Sequence, residues 1–223
     1  MFQDFAKHNY IFIGGTGSGK TELSLNCAVY LAKHNSKKVC FFDMDQTKGL
    51  FRARDFRDKL LNAGVCFSDT VDFWDFPIVP SGITGAIDDE NAVCVFDVGG
   101  NKMGARMIGQ YARYFTPSTT DVFFVINPYR PFSDEATELT LTMAEVIRAT
   151  RMMSRSIKLI SNPCMGKETT AATILSGHAR LNENLKESGE VAFALTVEEK
   201  LLTQIEPHVQ CPVYPIHLYV AYQ

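Results

Sequence analysis

A chain of 223 residues that is 46% hydrophobic carries enough apolar material for the core of one domain of ordinary size. Its formal charge of −3 gives no general attraction to nucleic acid or to an anionic membrane surface, so neither partner is expected. No apolar stretch reaches the roughly 18 residues that a membrane-spanning helix requires. The cysteines, Cys27, Cys40, Cys66, Cys94, Cys164 and Cys211, contain no C-x-x-C pair and read as reduced core residues. The histidines show no zinc spacing.

Met1–Phe5 has neither a basic leader nor a hydrophobic signal segment, and the expectation is a cytoplasmic protein. The run Tyr10–Ile13 predicts a strand, and a helix follows over about Glu22 to Lys33, where Leu23, Cys27, Tyr30 and Leu31 recur at spacings of three and four. Val39–Asp43 predicts the next strand and Gly49–Asn62 a second helix. Phe67–Gly85 is rich in Asp, Pro and Gly and reads as an irregular surface excursion holding the only tryptophan, Trp74. Ala92–Asp97 and Asp121–Ile126 contain consecutive apolar residues, as strands covered on both faces do, with a helix over Ala105–Phe115 between them. The longest predicted helix, about Asp134 to Met153, follows Pro131 with Ser133 as its N-cap, acids in its first turn and Arg148 and Arg151 in its last. Ile157–Ser161, Val191–Leu195 and Val213–Leu218 complete the strands. Strands alternating with helices imply a three-layer α/β fold with a mainly parallel central sheet, spanning residues 1–223 as a single domain.

Between the first strand and first helix, Gly14-Gly15-Thr16-Gly17-Ser18-Gly19-Lys20-Thr21 spells G-x-x-x-x-G-K-[ST], a phosphate-binding loop in its proper setting. Backbone N–H groups of Gly15, Thr16, Gly17, Ser18 and Gly19 would curl around phosphates, which side chains at the glycines would hinder. Lys20 would reach the β- and γ-phosphates and the Thr21 hydroxyl would ligate Mg²⁺, with the helix N-terminus adding its dipole. Asp97 ends a strand and opens Asp97-Val98-Gly99-Gly100, where an aspartate can hold a Mg²⁺-bound water and Gly100 can turn an N–H to the γ-phosphate. Asp43 and Asp45 are two apart at the end of another strand, so both are expected to face one cleft, Asp43 beside the metal and Asp45 positioning or activating the attacking water. Asn162, after a late strand, is the candidate for reading a purine edge, with Asn127 as its rival; a guanine site of N-K-x-D type would need an acid where Met165 stands, which argues for adenine. Arg52, Arg54, Arg57 and Arg106 are candidates for stabilising phosphoryl charge.

The loop, Asp43-Met44-Asp45, Asp97-Val98-Gly99-Gly100 and Asn162 together resemble the P-loop NTPases of the SIMIBI-type branch, related to signal-recognition, MinD/ParA and CobQ/CobB proteins. That resemblance implies ATP and Mg²⁺ as cofactors, a slow ATPase switch acting on a protein partner, and a nucleotide-dependent sandwich homodimer. The stretches Phe42–Asp55, Phe96–Tyr111, Ile126–Phe132 and Ser161–Thr170 are similar to ATP-binding proteins of anaerobic bacteria, which implies a partner in a ferredoxin-dependent oxidoreductase system. The MinD/ParA subgroup has a further lysine early in its loop; Gly15 stands there, and Arg52 or Arg106 would have to replace its contact across a dimer. The same fold also serves small-molecule kinases, ATP-dependent ligases and regulatory modules that do not hydrolyse nucleotide, and these are the alternatives.

Overall fold

The computed structural model describes residues 6–45, 53–68, 81–131, 133–152 and 157–219. Its strands are β1 (Asn9–Gly14), β2 (Lys38–Met44), β3 (Val65–Ser68), β4 (Ala92–Val98), β5 (Thr120–Ile126), β6 (Ile157–Ser161), β7 (Ala194–Glu198) and β8 (Val213–Ile216). The helices are α1 (Lys20–His34), α2 (Arg57–Asn62), α3 (Ile83–Asp88), α4 (Lys102–Gly109), α5 (Ala136–Thr150), α6 (Ala171–Lys186) and α7 (Leu202–Ile205). Among the described residues the strands form one sheet in the order β3-β2-β4-β1-β5-β6-β7-β8, and every pairing is parallel.

Side chains alternate across each central strand, and both faces are buried. Tyr10 and Phe12 of β1 join Phe41, Val95, Phe123 and Val125 beneath Leu23, Cys27 and Leu31 of α1 and Leu60 of α2. Ile11 and Ile13 point the other way, with Phe42, Phe96 and Phe124, towards Ala105 and Ile108 of α4, Leu139 and Val146 of α5, and Leu181 and Leu185 of α6. Burial on both sides explains why these strands read as nearly continuous apolar runs. The expected three-layer fold is therefore present, and the carboxyl ends of β1, β2, β4, β5 and β6 meet along one rim.

Several element boundaries differ from expectation. The strand β3 was not expected: it is short, and only Val65 of its four residues is fully buried. With Gly85 inside α3, both ends of the Phe67–Gly85 excursion are thus regular, while residues 69–80, including Trp74, lie outside the described residues. The second helix begins as a 3₁₀ turn, Ala53–Phe56, before α2. The third starts earlier than predicted, at Lys102, because Asn101 caps it by accepting from the Gly104 N–H at 2.9 Å. It ends at Gly109, where a Cβ would meet the Ala149 carbonyl of α5 at 2.8 Å. The long helix α5 has Glu135, not Ser133, at its N-cap and ends at Thr150, with Arg148 in its last turn and Arg151, whose φ of 58° is left-handed, as the C-cap. The helix α6, unassigned by periodicity, is nucleated by a capping box between Thr170 and Thr173. The strand expected at Val191–Leu195 lies three residues later, since Val191 is 68% exposed and Ala194 is the residue that pairs with Ile160. Cys27, Cys40 and Cys94 are core residues as expected, whereas Cys66 is exposed and Cys164 and Cys211 are half-buried.

Candidate functional site

The loop from Gly14 to Thr21 connects β1 to α1 at the sheet's carboxyl rim, the position where α/β folds of this type bind ligands. Gly19 is the N-cap of α1 with a φ of 98°, and a Cβ there would fall 2.0 Å from Asn162 Nδ2, so backbone conformation and a close neighbour both demand glycine. Lys20 is the first residue of α1 and is 5% exposed; its Nζ donates to the Gly15 carbonyl at 2.7 Å, folded back over the loop. Burial pushes the Lys20 ammonium down, while the carboxylates of Asp97 and Asp45 hold it up.

Asp43 and Asp97 are register partners on the adjacent strands β2 and β4, which sets their side chains side by side on the α1 face of the sheet. Asp97 is fully buried, and neither carboxylate oxygen has a hydrogen-bond partner satisfying ordinary geometry. Its carboxyl is pushed up to about 8, first by burial and then by the charge of Asp43; the Thr21 hydroxyl and Lys20 pull the other way. A buried, under-satisfied carboxylate beside a second carboxylate and a threonine hydroxyl is a donor set suited to a hard divalent cation. Among the described residues no group of three or more His, Cys, Asp or Glu side chains converges on a metal position. Such a sparse set suits Mg²⁺, which keeps several waters and takes its remaining ligands from phosphates.

Asp45 lies one residue past β2, with its carboxylate near enough to Lys20 and Asp97 to act on both. β2 ends at Met44, and the Asp45 N–H turns back to donate to Asp43 Oδ1 at 3.0 Å. Its carboxylate also meets the turn after β4, where Asp45 Oδ1 would be 3.1 Å from a Cβ on Gly99. Gly100 is pressed against the phosphate loop: a Cβ would lie 2.8 Å from Thr16 N, Thr16 Cα and Lys20 Nζ, and the Thr16 hydroxyl donates to its carbonyl at 3.4 Å. The two glycines thus let the turn after β4 touch both the loop and Asp45.

On the other side of β1, Asn162 follows β6 and is 4% exposed. Its Nδ2 donates to the Ser18 carbonyl at 2.7 Å and its Oδ1 accepts from the Thr196 hydroxyl at 2.6 Å. The amide therefore braces the phosphate loop, a role the sequence did not predict, and its second N–H and second lone pair stay available beside the role expected of it at a purine edge. The rival Asn127 is engaged likewise, with Nδ2 on the Cys164 carbonyl at 2.8 Å and Oδ1 accepting from the Tyr129 N–H at 3.0 Å. Thr196, two residues into β7, has no motif around it that would betray this role. Arg130, also unremarked in the sequence, donates through Nε to the Gly17 carbonyl at 3.3 Å. Of the arginines expected near phosphate, Arg52 lies outside the described residues, Arg57 sits 3.9 Å from Asp58 and Arg106 is on the exposed side of α4.

The phosphate loop at the rim of an all-parallel, helix-flanked sheet defines the fold as that of a P-loop NTPase. The solved structure of the cell division protein FtsY from Thermotoga maritima has this fold: it superposes with a TM-score of 0.52 at 14% identity over 86% of this chain. This chain spans 62% of the length of that FtsY chain. Weaker likenesses are to the signal recognition particle receptor FtsY from Elizabethkingia anophelis in complex with GDP (TM-score 0.41, 13% identity, 93% of this chain and 55% of that one) and FtsY from Mycoplasma mycoides (0.45, 13%, 95% and 60%). At these identities the likeness is one of fold. No protein-family model and no curated protein matches the sequence. Among the described residues no helix is long and apolar enough to cross a membrane.

Proposed function

We propose that this protein is a Mg²⁺-dependent nucleoside triphosphatase, with ATP as its nucleotide, that works as a slow conformational switch on a protein partner in the cytoplasm. The observation that carries the reading is Asp97, a buried carboxylate with no partner of ordinary hydrogen-bond geometry, in register with Asp43 and beside Lys20 and Thr21. Thr21, Asp43 and Asp97 would hold Mg²⁺, which neutralises phosphate charge when bound. Lys20 leaves the Gly15 carbonyl for the β- and γ-phosphates, exchanging a neutral acceptor for a charged one. Loop N–H groups from Gly15 to Gly19 bind the phosphates, and Asp45 orients the attacking water. Because Gly100 packs against Thr16 N, entry of a γ-phosphate must displace the turn at Gly99-Gly100, and Asp45 touches that turn. Nucleotide state is thereby linked to the surface beyond α4. Support for ATP over GTP is chemical: guanine's N–H donors call for a carboxylate, and Met165 stands where one is needed. The nucleotide-dependent homodimer and a partner within a ferredoxin-dependent oxidoreductase system follow from the sequence resemblance alone.

Binding of Mg-ATP and Mg-GTP to the wild type and to Lys20→Ala, followed by sedimentation velocity with a non-hydrolysable ATP analogue, tests this reading. Loss of binding by at least about 100-fold in K20A and a preference for ATP are expected. Unchanged affinity in K20A would overturn the site, and an unchanged mass with the analogue would remove the sandwich dimer. Asp45→Asn should keep binding and lose turnover.

A further inference from the structure

Arg130 follows β5, and the two residues before it are held in place. The Tyr129 hydroxyl donates to the Thr173 carbonyl at 2.6 Å, and its ring fits against α6 only because residue 177 is glycine, where a Cβ would lie 2.9 Å from it. Arg180 of α6 donates to the Pro128 carbonyl and covers the Tyr129 ring at 5.1 Å. So mounted, Arg130 runs along the tip of the phosphate loop: its Nε, Cδ and Cγ lie 3.3, 3.5 and 3.8 Å from the place a Gly17 Cβ would occupy. Apart from the Nε bond to Gly17, its guanidinium has no hydrogen-bond or ion-pair partner among the described residues. Arg130 is itself exposed.

Two features of this geometry decide what the guanidinium meets. A phosphate loop aims its N–H groups at the anion, so a loop carbonyl such as that of Gly17 points outward, and a group bonded to it flanks the cradle without lining it. The sheet order also puts Asp43 and Asp97 on strands to one side of β1 and Arg130 and Asn162 after strands on the other. A nucleotide with its terminal phosphate at the acidic end must leave the loop on the β5 and β6 side, and there it presents its nucleoside. Asn127 and Asn162 each spend one N–H and one lone pair on the protein, and Arg130 adds at that point a flat, weakly hydrated cation that favours the face of an aromatic ring.

We propose that Arg130 is a nucleoside-binding residue whose guanidinium stacks on the base of the bound nucleotide. This rests on the reading of the loop as a nucleotide site. Stacking on a face is tolerant of base identity, so Arg130 supplies affinity for the nucleoside without selecting between ATP and GTP.

Calorimetric titration of the full chain with Mg-ATP, Mg-GTP and Mg-tripolyphosphate tests it, using wild type, Arg130→Gln and Arg130→Lys with Lys20→Ala as the control. R130Q should weaken both nucleotides by about tenfold and tripolyphosphate by less than about twofold, with R130K between wild type and R130Q. Equal weakening of nucleotides and tripolyphosphate would overturn the proposal in favour of a phosphate or loop-shaping role, as would no change with any ligand. If wild type and K20A alike bind neither nucleotide nor tripolyphosphate, the nucleotide site itself is refuted and this inference with it. Thermal unfolding of R130Q, expected to match wild type because the side chain is exposed, separates these outcomes from misfolding.

Discussion

Asn162→Ala separates a residue that supports the phosphate loop from one that reads a base. Truncation removes the donor to the Ser18 carbonyl and the acceptor for the Thr196 hydroxyl, bonds of 2.7 and 2.6 Å. Thr196 keeps a second acceptor, the Ser161 carbonyl at 3.3 Å, so the main cost falls on the Ser18 carbonyl, in a residue only 4% exposed. Leaving such a group unpaired costs about 2–3 kcal/mol, including the lost hydrogen bond. For a chain of this length that corresponds to a fall in Tm of roughly 4–12 °C. Denaturant unfolding measures the energy, and a cycle with Thr196→Val should return a coupling of about 1 kcal/mol between the two side chains. Nucleotide affinity should fall, because Ser18 and Gly19 lose their brace, while the ratio of ATP to GTP affinity stays constant. An N162A protein within about 0.5 kcal/mol of wild type, together with an altered ATP to GTP ratio, would refute the brace and restore Asn162 to the base.

Further outcomes are expected elsewhere. Gly100→Ala inserts a Cβ 2.8 Å from backbone atoms of Thr16, so the turn and loop must separate; a loss of about 1–3 kcal/mol and faster amide exchange at Thr16 are expected, checked by hydrogen exchange. Burial pushes the His178 imidazole down, and its Nε2 faces the Asn182 amide at 3.1 Å and Cys211 Sγ at 3.6 Å, so the folded protein favours the neutral ring. Protons then bind the unfolded chain preferentially: this stability is present above about pH 6.5 and is lost as pH falls below it, and His178→Gln should flatten that limb in unfolding curves taken from pH 7 to 5. Asn26→Ala removes a paired contact in which Nδ2 donates to the His217 carbonyl and Oδ1 accepts from the His217 N–H, each at 2.8 Å. The segment after β8 should loosen from α1 at a cost of about 1–3 kcal/mol, read from amide exchange at His217 and Tyr219.

What was legible in the chain followed from local rules. Buried parallel strands show as apolar runs because both faces are covered, and β1, β2, β4, β5 and β6 were found that way. The strand β3 escaped because an edge strand with one fully buried residue in four carries no such signal, and α6 because its capping box joins two threonines where the usual sequence signature has a glutamate or glutamine. The phosphate loop was legible because its chemistry lies within eight consecutive residues. The placement of Asp97 and Gly100 at the carboxyl end of β4 was legible too, since an apolar run closing on an acid and two glycines marks where a strand gives way to a turn.

The sequence by itself determined the parallel α/β class, the loop and the identity of the acids at the strand ends, all set by spacing along the chain. Only the tertiary structure decided how those parts act on one another, since hydrogen bonds and buried charge depend on distances that no spacing encodes. Burial of Asp97 in the sheet, and then the register that put Asp43 beside it, raised the Asp97 carboxyl. The approach of the turn after β4 put Gly99 against the Asp45 carboxylate, which stays close enough to Lys20 and Asp97 to act on both. Packing of β6 and β7 under the loop directed Asn162 to Ser18, residues 144 apart in the chain, and packing of α6 behind Tyr129 brought Arg130 to Gly17, 113 residues away.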